Sequence, residues 1–165
     1  MPTIDETIAF IQKAHSGQFD KAGEVYWRHP HSVMQRLGDG ATEEERQVAL
    51  LHDVIEDTPH SGADLLALGY SASVVTAVEL LSRSKIEPRP PYIDWINSIA
   101  SSGNRLAIRI KIADNEDNLD PIRIAALSQD EREFVHRYEH SLAILRPALA
   151  ALSHLVHPLK DPVSD

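Results

Sequence analysis

Signals that start and stop helices recur along the whole chain, and no two segments offer strands that could pair. Thr3 with Glu6, Thr42 with Glu45 and Asp130 with Glu133 each have the spacing of a capping box, in which an N-cap oxygen and an acid three residues on satisfy one another's backbone N–H groups. Ile4, Ile8 and Ile11 follow the first box, and Val48, Leu51 and Ile55 the second, near helical spacing. Gly17 closes the first helix, and Gly38 and Gly40 close a short one opened at Pro30. Further helices are expected over residues 63–68, 71–81 and 92–101, with Gly69 and Gly103 as stops. The box at Asp130 is expected to open a long helix, broken or kinked at Pro147. Residues 85–91 hold three prolines and must be loop. Residues 106–112 alternate like a strand, but without a partner segment a helix is favoured.

The expected fold is therefore all-α, a single helical bundle of about eight or more helices over residues 1–157, with residues 158–165 as a frayed tail. A chain of 165 residues is large enough for one domain that buries roughly 70% of its unfolded surface. No apolar run is long enough to span a membrane, and the acidic N-terminus is unlike an export signal, so the cytoplasm is the expected compartment.

Cysteine is absent, so a metal would have to be held by His, Asp and Glu. The formal charge of −9 argues against backbone-driven binding to DNA or RNA. A small phosphorylated molecule remains compatible with it, because a divalent metal and a few local cations reverse the sign within a site.

The densest chemistry lies in His52-Asp53-Val54-Ile55-Glu56-Asp57. On one helix these four polar residues fall within about two turns, with Glu56 and Asp57 three to four residues beyond the His-Asp pair. Apolar neighbours at residues 49–51 and 54–55 mark the helix as largely buried, where unpaired carboxylates are costly and a metal removes the cost. His29, beside Pro30 at a helix start, can supply another imidazole. Asp114 follows an apolar run, and Asp117 one turn on is an alternative ligand. His136 and His140 also have ligand spacing, but their polar neighbours, Arg137 among them, suit a solvated face. His15 has no evident partner, and Arg83, Arg109 and Lys111 read as scattered surface charges.

Ala14-His15-Ser16-Gly17-Gln18, Lys21-Ala22-Gly23-Glu24-Val25-Tyr26, His29-Pro30, residues 51–58, Lys111-Ile112-Ala113-Asp114 and Asp117-Asn118-Leu119 occur in this order. The combination resembles the HD-domain hydrolases of the RelA/SpoT type, most of all the small stand-alone SpoT homologues. The resemblance implies an all-helical HD fold and one divalent metal, usually manganese, on His29, His52, Asp53 and Asp114. It implies Glu56 and Asp57 as the pair that orients or deprotonates the attacking water, with Asn118 on the substrate side. Lys21 and Lys111 are candidates to hold phosphate charge. The implied reaction removes the 3′-diphosphate of guanosine tetra- or pentaphosphate as pyrophosphate. Some members of the group remove a phosphate from NADPH instead. A phosphatase for NADPH or a nucleoside monophosphate, and a nucleotide-sensing module without turnover, are the alternatives. A homo-oligomer is compatible with each. Two departures stand out: Asp20 occupies a position that is usually basic, where an aspartate would repel phosphates, and Val25 replaces the usual proline.

Overall fold

The computed structural model describes residues 1–156 apart from Ser84 and Ile86. Residues 157–165, which include His157 and the tail expected to fray, lie outside that description, as do the side chains of residues 154–156. Among the described residues eleven helices run in order: α1 Ile4–Ala14, α2 Arg28–Arg36, α3 Glu43–Leu51, α4 Val54–Asp57, α5 Gly62–Ala67, α6 Ala72–Leu81, α7 Tyr92–Ser101, α8 Arg105–Asn118, α9 Pro121–Ala126, α10 Gln129–Arg132 and α11 His136–Val156. Among the described residues there is no strand, only an isolated bridge between Phe19 and Val25 that pins the loop after α1. The all-α expectation holds.

Helix α8 is the axis of the bundle, packed by α2, α3, α6 and α11. Ala107, Ile108, Ile110, Ile112 and Ala113 are all buried, and so are Lys111, Asp114, Asn115 and Asp117. A helix covered on every side needs no polar face, so its sequence loses the 3.6-residue period and the alternation of residues 106–112 carries no strand. Asn104 fixes its start by accepting from the Ala107 N–H at 2.9 Å. Helix α3 is nearly as enclosed, with Leu50 and Leu51 fully buried. Each such side chain contributes roughly 1.5–3 kcal/mol by leaving water.

Two expected elements differ. The helix through the acidic-histidine cluster is interrupted: α3 ends at Leu51, and α4 begins at Val54. At the break the His52 ring donates from Nδ1 to the Ala49 carbonyl at 2.7 Å, satisfying a carbonyl at the end of α3. The last helix does not start at Asp130. Ser128 and Glu131 form the capping box there, opening the one-turn α10, and α11 starts afresh at His136. Helix α11 continues through Pro147 rather than breaking, held along its length by α7 and α8.

Candidate active site

Three parts of the fold deliver the expected metal ligands to one point. Helix α2 brings His29, the α3–α4 break brings His52 and Asp53, and α8 brings Asp114. His29, His52 and Asp53 offer ligand atoms all within 4.8 Å of one another. Asp114 Oδ1 lies 3.1 Å from His29 Nε2 and 3.8 Å from His52 Nε2.

The chemistry of this set fits a cation. His29 donates from Nδ1 to Asp117 Oδ2 at 2.8 Å, and His52 donates from Nδ1 to the Ala49 carbonyl. Neither acceptor carries a proton, so both imidazoles are locked with Nε2 turned to the carboxylates, the arrangement in which second partners hold metal-binding histidines. His52 Nε2 is buried, and although it lies 3.0 Å from Asp53 Oδ2 it makes no hydrogen bond of good geometry. A divalent ion would satisfy it. Without one, protons take the ion's place. Burial would lower the His29 pKa, but hydrogen bonds to Asp114 and Asp117 outweigh it and lift the value to about 9. Burial likewise works against ionised Asp114, yet the Lys111 charge and the two histidines hold it well below the usual carboxylate range.

Asp117 is not a ligand. Its Oδ2 receives the His29 proton, while Oδ1 accepts from Ser32 Oγ at 2.5 Å and Arg36 Nε at 2.8 Å. One turn of α8 separates it from Asp114, enough to put it behind the imidazole rather than in front.

Beside the ligands stand Glu56 and Asp57 on α4. Glu56 accepts from the Arg83 N–H at 2.8 Å and Arg89 Nη2 at 2.7 Å, and burial pushes its pKa up. Asp57 has a donor on each oxygen: Lys85 Nζ at 3.0 Å and the Tyr26 hydroxyl at 3.1 Å. The same hydroxyl donates to Asp53 Oδ2 at 2.7 Å, so Tyr26 ties a candidate ligand to the acidic pair. Burial and the charges of Asp53 and Asp57 raise the Tyr26 pKa far above that of a free phenol, which keeps it a donor. His15, which has no evident partner in the sequence, is buried and bonded through Nδ1 to Gln18 at 2.8 Å, and Gln18 in turn donates to the Asp57 carbonyl at 2.8 Å.

Tyr26, His29, Asp53, Glu56, Asp57 and Asp114 line a cleft of about 390 Å³. Lys21, Lys111 and Asn118 all line it. Lys21 lies 3.8 Å from Glu131. Asn118 donates to Asp114 Oδ1 at 2.7 Å. Lys111 is no surface charge: it is buried, donates to Asp114 Oδ2 at 2.7 Å and sits 4.4 Å from the centre of the Trp95 ring. Asp20 does not face the cleft as a bare charge either. Its Oδ1 accepts from the Ala22 and Glu24 N–H groups at 2.9 Å, and its Oδ2 lies 3.3 Å from Arg123 Nη1. The basic residue missing at position 20 is thus matched by one from α9.

Arg89, Arg123, Arg137, Tyr92 and Tyr138 also line the cleft, and none was marked as functional by the sequence. They come from separate stretches of chain, and only an exposed aromatic or unpaired cation would have flagged them. His136 and His140 are exposed, in line with a solvated face.

An all-helical bundle with two histidines and two aspartates meeting at the end of a buried helix defines an HD domain. Within that class the chain is similar to proteins of the RelA/SpoT type. It is 30% identical over 157 residues to the guanosine-3′,5′-bis(diphosphate) 3′-pyrophosphohydrolase of Haemophilus influenzae, matching 90% of this chain and 22% of that protein. It is 31% identical over 160 residues to the bifunctional (p)ppGpp synthase/hydrolase SpoT of Escherichia coli, matching 92% of this chain and 22% of that protein. The chain thus spans about a fifth of the length of these curated relatives. A solved structure of a metazoan orthologue of SpoT, described as hydrolysing ppGpp, superposes with a TM-score of 0.73 over 96% of this chain and 99% of that one, at 24% identity. No family model matches the chain.

Proposed function

We propose that residues 1–157 form a metal-dependent phosphohydrolase that cuts the 3′-diphosphate from guanosine tetra- or pentaphosphate, giving GDP or GTP and pyrophosphate. The observation that carries this reading is the meeting of His29, His52, Asp53 and Asp114 beside Glu56 on the floor of a cleft lined by Lys and Arg. The names of the curated relatives and of the structural neighbour supply the nucleotide.

The four ligands would hold one divalent ion. Two imidazoles and two carboxylates suit manganese, iron, cobalt or zinc, and the resemblance selects manganese. Such an ion supplies a water of lowered pKa and polarises a phosphoryl oxygen. Glu56, whose raised pKa suits a base, takes the proton of the attacking water. Asp57, with donors on both oxygens, orients that water. The water oxygen bonds to the phosphorus next to the ribose 3′-oxygen, the bond to that oxygen breaks, and the 3′-oxygen regains a proton as pyrophosphate leaves. Lys111, Lys21 and Asn118 face the phosphates from the cleft wall. Among the described residues no helix is long and apolar enough to cross a membrane, which fits a cytoplasmic enzyme on a small nucleotide.

The test supplies manganese-loaded protein with guanosine tetraphosphate, NADPH and nucleoside monophosphates. Pyrophosphate release from the first, reduced about 100-fold or more in Glu56→Gln with metal content unchanged, is the expected result. Orthophosphate release from the others alone would replace the substrate, and binding without turnover would make the protein a sensor.

A further inference from the structure

Arg137 reads as one charge of a solvated helical face, yet its side chain stands in the wall of the cleft. Its guanidinium carbon lies 4.8 Å from the centre of the Tyr138 ring and 5.2 Å from that of Tyr92. Nη2 donates to the Tyr138 hydroxyl at 2.8 Å. Nε is buried and has no hydrogen-bond partner among the described residues. The other cations of the cleft are engaged differently: Lys21, Arg89, Lys111 and Arg123 each lie within 4.0 Å of a carboxylate, and Arg83 donates to the Pro90 carbonyl. Arg137 has no carboxylate at that distance among the described residues.

A half-buried guanidinium with a buried, spare N–H, held against two aromatic rings, is preorganised for an anion. Burial and the like charges of Arg89 and Arg137 push the Arg83 pKa down, so positive charge gathers on this side of the cleft. Tyr92 gives the location. Its hydroxyl is 3.4 Å from Asn115 Oδ1 on α8, and Lys111 and Asp114 act on it from the metal side. Arg137 lies at that same ring, so a phosphate at the ligand cluster would have Arg137 near a second phosphate joined to it.

We propose that Arg137, held on Tyr92 and Tyr138, is the specificity-determining contact for the distal phosphate of a diphosphate group whose proximal phosphate lies at the metal ligands. This rests on the phosphohydrolase reading and deepens it, because it makes the cleft select a diphosphate over a monophosphate. Charge-assisted hydrogen bonds of this kind are worth about 10- to 100-fold in affinity.

The test measures calorimetric binding of inorganic pyrophosphate and of inorganic orthophosphate to manganese-loaded wild-type, R137Q and R137K proteins, with KM and kcat for guanosine tetraphosphate beside them. R137Q should weaken pyrophosphate about tenfold or more and orthophosphate less than about threefold, with KM rising far more than kcat falls. R137K, which keeps the charge but loses the planar fork, should lie between and remains informative if R137Q fails to fold. Unchanged pyrophosphate affinity in both variants, or equal loss of both anions, overturns the proposal. Wild-type protein that binds pyrophosphate through Arg137 but hydrolyses no nucleotide upholds the subsite and overturns the catalytic reading. Turnover of the nucleotide with R137Q unaffected does the reverse.

Discussion

Asp117 accepts the Nδ1 proton of His29 at 2.8 Å, across 88 positions of sequence. This one bond sets the tautomer of the imidazole, and Ser32 and Arg36 hold the aspartate so that it cannot turn away. Asp117→Asn should therefore weaken manganese binding about 10- to 100-fold with the ligands all present. Calorimetric titration reads this directly, and an affinity unchanged within twofold would remove Asp117 from the site.

The metal-free and metal-loaded proteins should diverge in stability as pH rises. His29 is raised from 6.5 to about 9 in the folded state, so the folded form holds this proton more tightly than the unfolded chain does. Its contribution to stability is full below about pH 6.5 and is lost as pH rises to about 9. Metal-stripped protein should thus lose thermal stability over that interval. The gain in Tm on adding manganese should grow across it, because the ion no longer competes with a proton. A stripped protein whose Tm climbs from pH 6.5 to 9 would contradict the assignment.

Tyr26→Phe removes the hydroxyl shared by Asp53 and Asp57 while leaving the ring that packs beside His15 and His29. Hydrogen bonds to charged groups are worth about 1.5–3 kcal/mol, so activity should fall by about 10- to 100-fold. A variant with the wild-type rate would show that the phenol does no more than fill space.

Ile110 is fully buried in the middle of α8. Ile110→Ala should cost about 2–5 kcal/mol in denaturant unfolding, through lost burial and the cavity left behind. A cost below 1 kcal/mol would mean that α8 is not the packed axis described.

Much of this architecture is written locally. The boxes at Thr3 and Thr42 place α1 and α3 because a cap is a contact over three residues. The four candidate ligands are legible for a related reason, since each sits in a short run of unusual residues. What stayed hidden depends on tertiary packing. The interruption at His52 and Asp53 is invisible in a run whose apolar spacing continues unbroken into α4. Asp20 suggests repulsion until Arg123, from a helix about a hundred residues away, is found 3.3 Å from it. Arg137 hides among the polar residues of its neighbourhood, because nothing nearby in sequence reveals that Tyr92 lies beneath it.

The cations of the cleft belong to a chain that carries −9 overall, and this has a consequence for encounter rates. A polyanionic nucleotide is repelled at long range and attracted only once inside. Moderate salt screens the outer field, with a Debye length of about 10 Å at 0.1 M, while the buried contacts at the floor are shielded far less. Capture should therefore quicken as ionic strength first rises, the reverse of an electrostatically steered enzyme.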